Sequence, residues 1–237
     1  MLTQNPNSSQ ATDWSIRQAF LSGAWENLST RLSALSVGIF FVSVPVFFQA
    51  PLVRVWPWLG LVSTLLWFAL GRSLACYWRK PVWGDLILGF SWSWLAGAIY
   101  WGWLRQEPLL HLPIEAIGLP FAVLSLWRGS LLVGHCFYLG SLLGTVITDL
   151  YFYALDLIPF WRRIMHVSLD NSWPILHEAS LQVRTREGLV WALFFVVILL
   201  ISAFFALRSP KVHWWVFGGA VLGTLLVDAL FGLSAFV

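Results

Sequence analysis

Two apolar stretches of this sequence carry the same pattern of small and acidic residues. Residues 139–152 read LGSLLGTVITDLYF and residues 218–231 read GGAVLGTLLVDALF, so six of the fourteen aligned positions are identical. The shared pattern is GxxxGTxxxD, and its acidic members are Asp149 and Asp228. A carboxylate is costly among lipid tails and rare there, so matched aspartates in apolar helices indicate side chains that face a protein interior.

The other residues of the repeat are spaced for contacts between helices. In each copy two glycines lie one helical turn apart, which lets the backbone of another helix approach closely. These glycines are Gly140, Gly144, Gly219 and Gly223. Thr145 and Thr224 each precede the aspartate by four residues, so each hydroxyl can hydrogen-bond the carboxylate one turn away. One long helix is predicted between the copies, and both copies are therefore expected to run in the same direction.

Two more polar residues could extend the pair of carboxylates. His135 lies on the same predicted helix face as Thr145 and Asp149. Glu115 lies in a short proline-containing segment, and His111 precedes it by four residues. The predicted polar seam consists of Asp149, Asp228, Thr145, Thr224, His135 and Glu115.

Three interpretations of this polar seam remain open at the level of sequence. In the first, the glycines pack helices and the aspartates bond to neighbours at the ends of spans. In the second, the seam is a pathway for a proton, a cation or a small solute, because such pathways are lined by carboxylates and histidines. In the third, it holds a pigment, a quinone or another cofactor, with His135 as a ligand. The sequence identifies no particular cofactor and no metal site.

The elements that position these residues are membrane helices. Hydrophobic residues make up 59% of the 237 residues and charged residues 11%, whereas a soluble domain has about 25% charged residues. Seventeen tryptophans are present, and indole rings favour the membrane–water boundary. The aromatic group between Trp83 and Trp103, which includes Tyr100 and Trp101, is predicted to be such an interfacial belt. The fold class predicted is an all-α polytopic transmembrane bundle.

Six spans are predicted from apolar runs with few charged residues that are long enough to cross about 30 Å of hydrocarbon. They cover residues 32–50, 57–78, 84–104, 130–155, 189–207 and 214–236. Residues 112–127 are ambiguous, because the segment is short and contains Pro113, Glu115 and Pro120. It is expected to be either a re-entrant segment or a seventh span.

The distribution of basic residues favours six spans. If residues 112–127 do not cross the membrane, nine Lys and Arg residues share the side of the N-terminus and five lie on the other. If the segment crosses, the counts become eight and six. By the positive-inside rule, the larger bias predicts six spans with both termini cytoplasmic.

The chain is predicted to have two parts. Residues 1–31 are a polar tail followed by an amphipathic helix on the membrane surface, in which Trp14, Leu21, Trp25 and Leu28 form the apolar face. Residues 32–237 form a single transmembrane domain with one polar loop at residues 156–188. This loop is predicted to lie on the lipid headgroups or to dock a partner in a membrane protein complex.

Several function classes find no support in the sequence. No GxxxxGK[ST] loop is present, so the chain is not expected to hydrolyse nucleotides itself. His177 and Glu178 lack the second histidine of a zinc protease motif. Basic clusters interleaved with aromatic residues are too short for nucleic-acid binding. The chain is therefore not expected to be an enzyme, and the predicted environment is the lipid bilayer.

Three stretches of the chain resemble a family of cyanobacterial integral membrane proteins of unknown function. They are residues 45–61 (PVFFQAPLVRVWPWLGL), 104–120 (LRQEPLLHLPIEAIGLP) and 139–165 (LGSLLGTVITDLYFYALDLIPFWRRIM). The resemblance implies a photosynthetic bacterial host and a plasma or thylakoid membrane. It implies no activity, so no functional residue is carried over from it.

Two functions follow as hypotheses. The leading one is transport of a small solute or an ion through the polar seam, with the chain acting alone or as a membrane substrate-binding subunit energised by a separate partner. The alternative is a non-catalytic accessory or assembly factor of a photosynthetic membrane complex, in which the glycine faces and the loop at residues 156–188 bind protein partners and the interior holds a pigment or quinone.

Overall fold

The described part of the chain is almost entirely helical. In a computed structural model, the backbone is described for residues 7–168 and 171–234, and the side chains for residues 28–168 and 171–233. The α-helices are α1 (Asn7–Val55), α2 (Pro57–Cys76), α3 (Pro81–Ile99), α4 (His111–Glu115), α5 (Leu119–Arg128), α6 (Leu132–Ala154), α7 (Ile158–Met165), α8 (Trp173–Val183), α9 (Arg186–Leu207) and α10 (Val212–Ser234). The predicted all-α class is confirmed, since the described residues contain no strand.

Among the residues that the structure describes, seven helical segments are long and apolar enough to cross a membrane. They are Leu28–Val55, Pro57–Cys76, Pro81–Leu104, Pro108–Arg128, Leu132–Ala154, Arg186–Leu207 and Val212–Leu233. Six of them coincide with the predicted spans. The additional one, Pro108–Arg128, contains the segment that the sequence left ambiguous. The prediction of a polytopic helical membrane protein is therefore confirmed.

Helices α3 and α6 run side by side in the same direction. Asp85 near the start of α3 and Gly89 in its middle both lie against Gly134 near the start of α6. Beyond the other end of α3, His111 contacts Asp149 near the end of α6. Two successive long helices can run parallel only if the chain between them returns across the bundle. Pro108–Arg128 makes this return, which favours its assignment as a seventh span over a re-entrant segment.

The segment Pro108–Arg128, called the return segment below, accommodates its prolines because it is built from short helical pieces. Two turns of 3₁₀-helix flank α4, and Pro108 and Pro120 each lie in the first turn of a helical piece, where the missing N–H costs little. Midway along α6, the Tyr138 hydroxyl donates to the Glu115 carbonyl at 2.6 Å and accepts from the Gly118 N–H at 3.1 Å. These bonds fix the broken segment against a continuous helix.

The first and last spans also run in parallel. Gly38 of α1 lies against the Val216 carbonyl of α10, and further along the Phe47 and Phe231 rings stack with centroids 5.8 Å apart. With seven crossings, the start of the first span and the end of the last lie at opposite ends of the bundle. The packing therefore does not favour six crossings with both termini cytoplasmic. The charge counts behind that expectation consider only the basic residues and take no account of how the helices pack against one another.

The repeated glycines lie where three parallel helices meet. Gly140 and Gly144 of α6 lie against α10, with Thr224 directly over Gly144. Gly219 and Gly223 of α10 lie against α1 in turn. Because these positions lack a β-carbon, α10 can pack between its two neighbours with backbones in close contact.

The outer surface of the bundle is apolar, whereas its small polar content is turned inward. In α9 the exposed side chains include Leu193, Phe194 and Phe205. Leu132–Ala154 and Pro81–Leu104 are the most buried of the seven segments, with 61% and 56% of their most apolar 18-residue stretch buried, so α3 and α6 form the centre of the bundle. This arrangement is that expected of helices surrounded by lipid.

The predicted amphipathic helix at residues 1–31 lies mostly outside the described side chains. The backbone from Asn7 onward is helical and continuous with the first span. The positions of Trp14, Leu21 and Trp25, on which the prediction depended, fall outside the described side chains, so the surface location of this helix stays a prediction.

Candidate functional site

Asp149 is a buried carboxylate in the fifth span, with 4% of its surface exposed. Its helix, α6, is enclosed by α3, α4 and α10, which removes this side chain from lipid. Both carboxylate oxygens lie 3.0 Å from His111 Nδ1. The side chains of His111 and Asp149 are only 13% and 6% exposed, so this contact is shielded from water. Such shielding strengthens the electrostatic attraction between them.

Glu115 approaches the opposite nitrogen of the same imidazole. It lies one turn after His111 on α4, and its Oε1 is 4.0 Å from His111 Nε2. Its side chain is 13% exposed. The imidazole thus lies between two carboxylates that come from different helices. We call Asp149, His111 and Glu115 the acid–imidazole cluster.

Aromatic rings enclose the acid–imidazole cluster. The Tyr100 ring lies against His111 with centroids 4.4 Å apart and planes inclined by 35°. Trp161 of α7 lies 5.8 Å from the imidazole centroid and stacks on Trp101 at 5.9 Å. The Trp161 indole N–H donates to the Arg105 carbonyl at 3.0 Å. These rings cover the cluster on the side of the loop at residues 156–188.

Asp228 lies beside α6 but has a partner of its own. The Thr148 hydroxyl donates to Asp228 Oδ2 at 2.9 Å. Because Thr148 directly precedes Asp149, the two aspartates of the repeat lie at the same level on adjacent helices. The parallel direction expected for the two repeats is what places them there.

The two threonines of the repeat do not contact the aspartates. Thr145 donates to the Ser141 carbonyl at 3.2 Å and Thr224 to the Ala220 carbonyl at 3.3 Å, each within its own helix. The expected bonds from Thr145 to Asp149 and from Thr224 to Asp228 are therefore absent. A threonine hydroxyl in a helix readily bonds the carbonyl four residues earlier, and this local bond prevails here.

His135 lies near the other end of α6, away from the acid–imidazole cluster. Its Nδ1 is 2.7 Å from the Leu131 carbonyl, and the side chain is buried. Nearby, Asp85 of α3 accepts a hydrogen bond from the Val133 N–H at 2.9 Å and so caps the start of α6. The structure therefore divides the predicted seam, with Asp149, Glu115 and Asp228 at one end and His135 at the other.

Two ion pairs hold α7 over the aromatic rings that enclose the acid–imidazole cluster. Arg162 lies 2.8 Å from Glu107, and Arg163 lies 2.7 Å from Glu178 of α8. The hydrogen bond from Arg162 lowers the pKa of Glu107 below its ordinary value. The hydrogen bond from Arg163 likewise lowers the pKa of Glu178. Both glutamates are therefore ionised at neutral pH and attach α7 to the turn before α4 and to α8.

The geometry of the acid–imidazole cluster suits protons better than metal ions. Its two carboxylates lie at opposite ring nitrogens and do not converge on one point. Among the described residues, no three His, Cys, Asp or Glu side chains are grouped as metal ligands. An imidazole between two carboxylates can instead receive a proton at one nitrogen and release one from the other.

Comparison with known proteins assigns the chain to a family. A family model described as a protein of unknown function, DUF3120, matches residues 38–236. The chain belongs to the DUF3120 family. The match contains all three stretches on which the resemblance to a family of unknown function was based. No curated protein and no solved structure matches the chain. DUF3120 membership therefore brings no activity, and a function must be argued from the site itself.

In this DUF3120 chain, the sequence pattern missed several residues that complete the site. His111 had been noted only for its spacing from Glu115, and that i,i+4 spacing is the signal that could have placed both on one helix face. Thr148 is not part of the repeated pattern. Tyr100 and Trp101 were expected in an interfacial belt, yet Tyr100 has no exposed surface and lies against His111.

Proposed function

We propose that this protein is a transport-type membrane protein and that protons are the ions transferred or coupled in its transport step. The observation that carries the proposal is the contact of His111 with Asp149, beside Glu115, in the shielded interior of the bundle. Buried ionisable residues within membrane-spanning segments are costly and generally mark ion pathways or proton relays.

The ionisable groups for this transfer all come from the chain, and a hydrogen-bonded bridge across the 4.0 Å between His111 Nε2 and Glu115 Oε1 completes the path. A proton that reaches the Asp149 carboxylate can pass to His111 Nδ1, while the proton on Nε2 leaves toward Glu115. One proton enters the imidazole and one leaves it, so the ring ends in its other tautomer. A ring reorientation or the reverse transfer restores the starting state. Carboxylate and imidazole are well matched for such transfers near neutral pH.

Asp228 offers a second acceptor at the same level. It lies at the contact between α6 and α10 and is held by Thr148. A path that includes both aspartates would follow this helix contact, beside the close approach of α10 to Gly144. The proposed pathway therefore uses Asp149, Glu115 and Asp228 of the predicted seam, together with His111, and omits His135.

The test is proton flux in vesicles that contain the purified protein and an internal pH-sensitive dye. A potassium gradient with valinomycin imposes a membrane potential. We expect wild-type vesicles to acidify or alkalinise faster than protein-free vesicles, and Asp149→Asn to slow this flux at least tenfold. Glu187→Gln, which removes an exposed carboxylate in the first turn of α9, is the control and is expected to behave as wild type.

Two results would contradict the proposal. Wild-type flux equal to that of protein-free vesicles would remove proton transfer as an activity of the chain alone. Asp149→Asn with unchanged flux would remove the acid–imidazole cluster from the pathway. If a small solute is coupled to the protons, its addition to the outside should change the rate in wild type and not in Asp149→Asn.

The membrane and the partner proposed for this activity follow from the family resemblance and from the polar loop at residues 156–188. We place the protein in a plasma or thylakoid membrane of a photosynthetic bacterium. Since the sequence offers no nucleotide-binding loop, an energising ATPase would have to be a separate chain. The polar loop at residues 156–188 is the surface where such a partner would dock.

A further inference from the structure

Tyr100 is the most unusual polar side chain beside the acid–imidazole cluster. Its side chain has 0% of its surface exposed, and its hydroxyl has no hydrogen-bond partner among the described residues. Buried hydroxyl groups nearly always have a partner, because burial removes their bonds to water. An orphaned phenol at this position therefore points to a bound group that the side chain was placed to contact.

The backbone at Tyr100 is also unusual. Tyr100–Leu104 forms one turn of π-helix at the end of α3. Such turns are uncommon and occur often at functional sites, because the extra residue redirects side chains. Here the turn brings the Tyr100 ring against the imidazole of His111, with centroids 4.4 Å apart. The Tyr100 side chain therefore packs directly on the acid–imidazole cluster.

A gap between two polar groups lies in the same place. The 4.0 Å between His111 Nε2 and Glu115 Oε1 is longer than a hydrogen bond. Asp149 already has both oxygens close to His111 Nδ1. The group required is thus small and able both to donate and to accept hydrogen bonds. Aromatic rings also pack around Tyr100, with the Trp101 and Trp161 centroids 5.4 Å and 6.4 Å from its own.

We propose that an ordered water molecule is bound beside the Tyr100 hydroxyl and links it to the acid–imidazole cluster. Water satisfies the phenol and provides a bonding partner for a carboxylate or the imidazole at once, and buried waters typically make about three such bonds. A metal ion is a poorer fit, because the carboxylates lie on opposite sides of the imidazole. Tyr100 is then a positioning residue that holds the water.

The experiment compares the thermal stability of Tyr100→Phe with that of wild type in mild detergent. If water is bonded to the hydroxyl, its removal leaves that water without a partner, and the midpoint of unfolding should fall by about 3 °C. If the hydroxyl is truly unpaired, its removal relieves an unsatisfied group and the midpoint should rise or stay unchanged. Tyr77→Phe is the control, since Tyr77 is 83% exposed and its hydroxyl meets solvent.

An experimental map at about 2 Å resolution gives a second, independent reading. Density for a single water within hydrogen-bonding distance of the Tyr100 hydroxyl is the expected result, and a map without it overturns the proposal.

The proposed water site can be tested separately from the proposed transport. A lower midpoint in Tyr100→Phe with no proton flux in wild type keeps the water site and removes the transport function. An unchanged or higher midpoint removes the water site, whatever the flux.

Discussion

At the scale of single residues, each aspartate of the repeat is held by a side chain from a different helix. Asp149 contacts His111 from the return segment, and Asp228 contacts Thr148 from the neighbouring helix. The cost of a carboxylate in lipid was sufficient to predict that both face the interior. The choice of partner depends on how the helices are rotated and aligned, which spacing within one helix does not determine.

Thr148 should contribute to stability more than Thr145, although both lie on α6. Thr148→Val removes the hydroxyl that contacts Asp228, while Thr145→Val removes only a bond to its own helix. A side-chain hydrogen bond between membrane helices contributes about 0.6–1.7 kcal/mol. We expect thermal unfolding in detergent to show a lower midpoint for Thr148→Val and little change for Thr145→Val. Equal shifts in both variants would show that the contact with Asp228 adds nothing.

At the scale of elements, α7 is a short helix that covers the acid–imidazole cluster from the loop side. Trp161 on its inner face packs against His111, and Arg162 and Arg163 form ion pairs with Glu107 and Glu178. The sequence indicated that this loop carries arginines and tryptophans suited to a membrane surface. It did not indicate that one tryptophan turns inward, because the inward position depends on the Trp161 bond to the Arg105 carbonyl.

The attachment of α7 should weaken in acid. The folded-state pKa values of Glu107 and Glu178 are lowered by their arginine partners. The stabilisation from a lowered pKa is present above the unfolded pKa and is lost as the pH falls through the folded one. After correction for intrinsic rates, hydrogen exchange of the α7 amides should therefore be faster at about pH 3 than at pH 7. The acidic condition is chosen because it lies below the ordinary carboxyl pKa of about 4.

Glutamine variants identify the groups responsible for this pH response. In the double variant Glu107→Gln with Glu178→Gln, both ion pairs are lost, and α7 should exchange equally fast at both pH values. Glu187→Gln changes an exposed carboxylate at the start of α9 and should keep the wild-type response. If the double variant retained the full response, the two ion pairs would not be what attaches α7.

At the scale of the whole molecule, the spans could be predicted and the path of the chain between them could not. Six apolar runs gave six spans at nearly the observed positions, because hydrophobic length alone decides whether a helix can cross. The segment around Pro113 and Glu115 was left ambiguous, because prolines and a carboxylate disfavour a lipid-exposed helix. In the structure Glu115 faces His111, and the prolines lie in the first turns of short helices, so neither feature prevents crossing.

Seven crossings and six crossings differ in which loops share a membrane face. With seven, the loop after Leu104 and the loop after Arg128 lie on opposite faces, because Pro108–Arg128 traverses the bundle between them. With six, these two loops lie on the same face. The loop after Leu207 shares the face of the loop after Arg128 in both arrangements, so it serves as an internal control.

Cysteine labelling in sealed vesicles of uniform orientation can decide between these arrangements. Single cysteines are introduced as Gln106→Cys, Ser130→Cys and Ser209→Cys in a Cys76→Ser background, since Cys76 is exposed whereas Cys136 is buried. With a membrane-impermeant maleimide, we expect Ser130→Cys and Ser209→Cys to be labelled from the same side and Gln106→Cys from the other. Labelling of all three from one side would reject the seventh span. Because α3 and α6 could then not run in parallel, it would also separate His111 from Asp149 and remove the acid–imidazole cluster on which the proposed proton transfer depends.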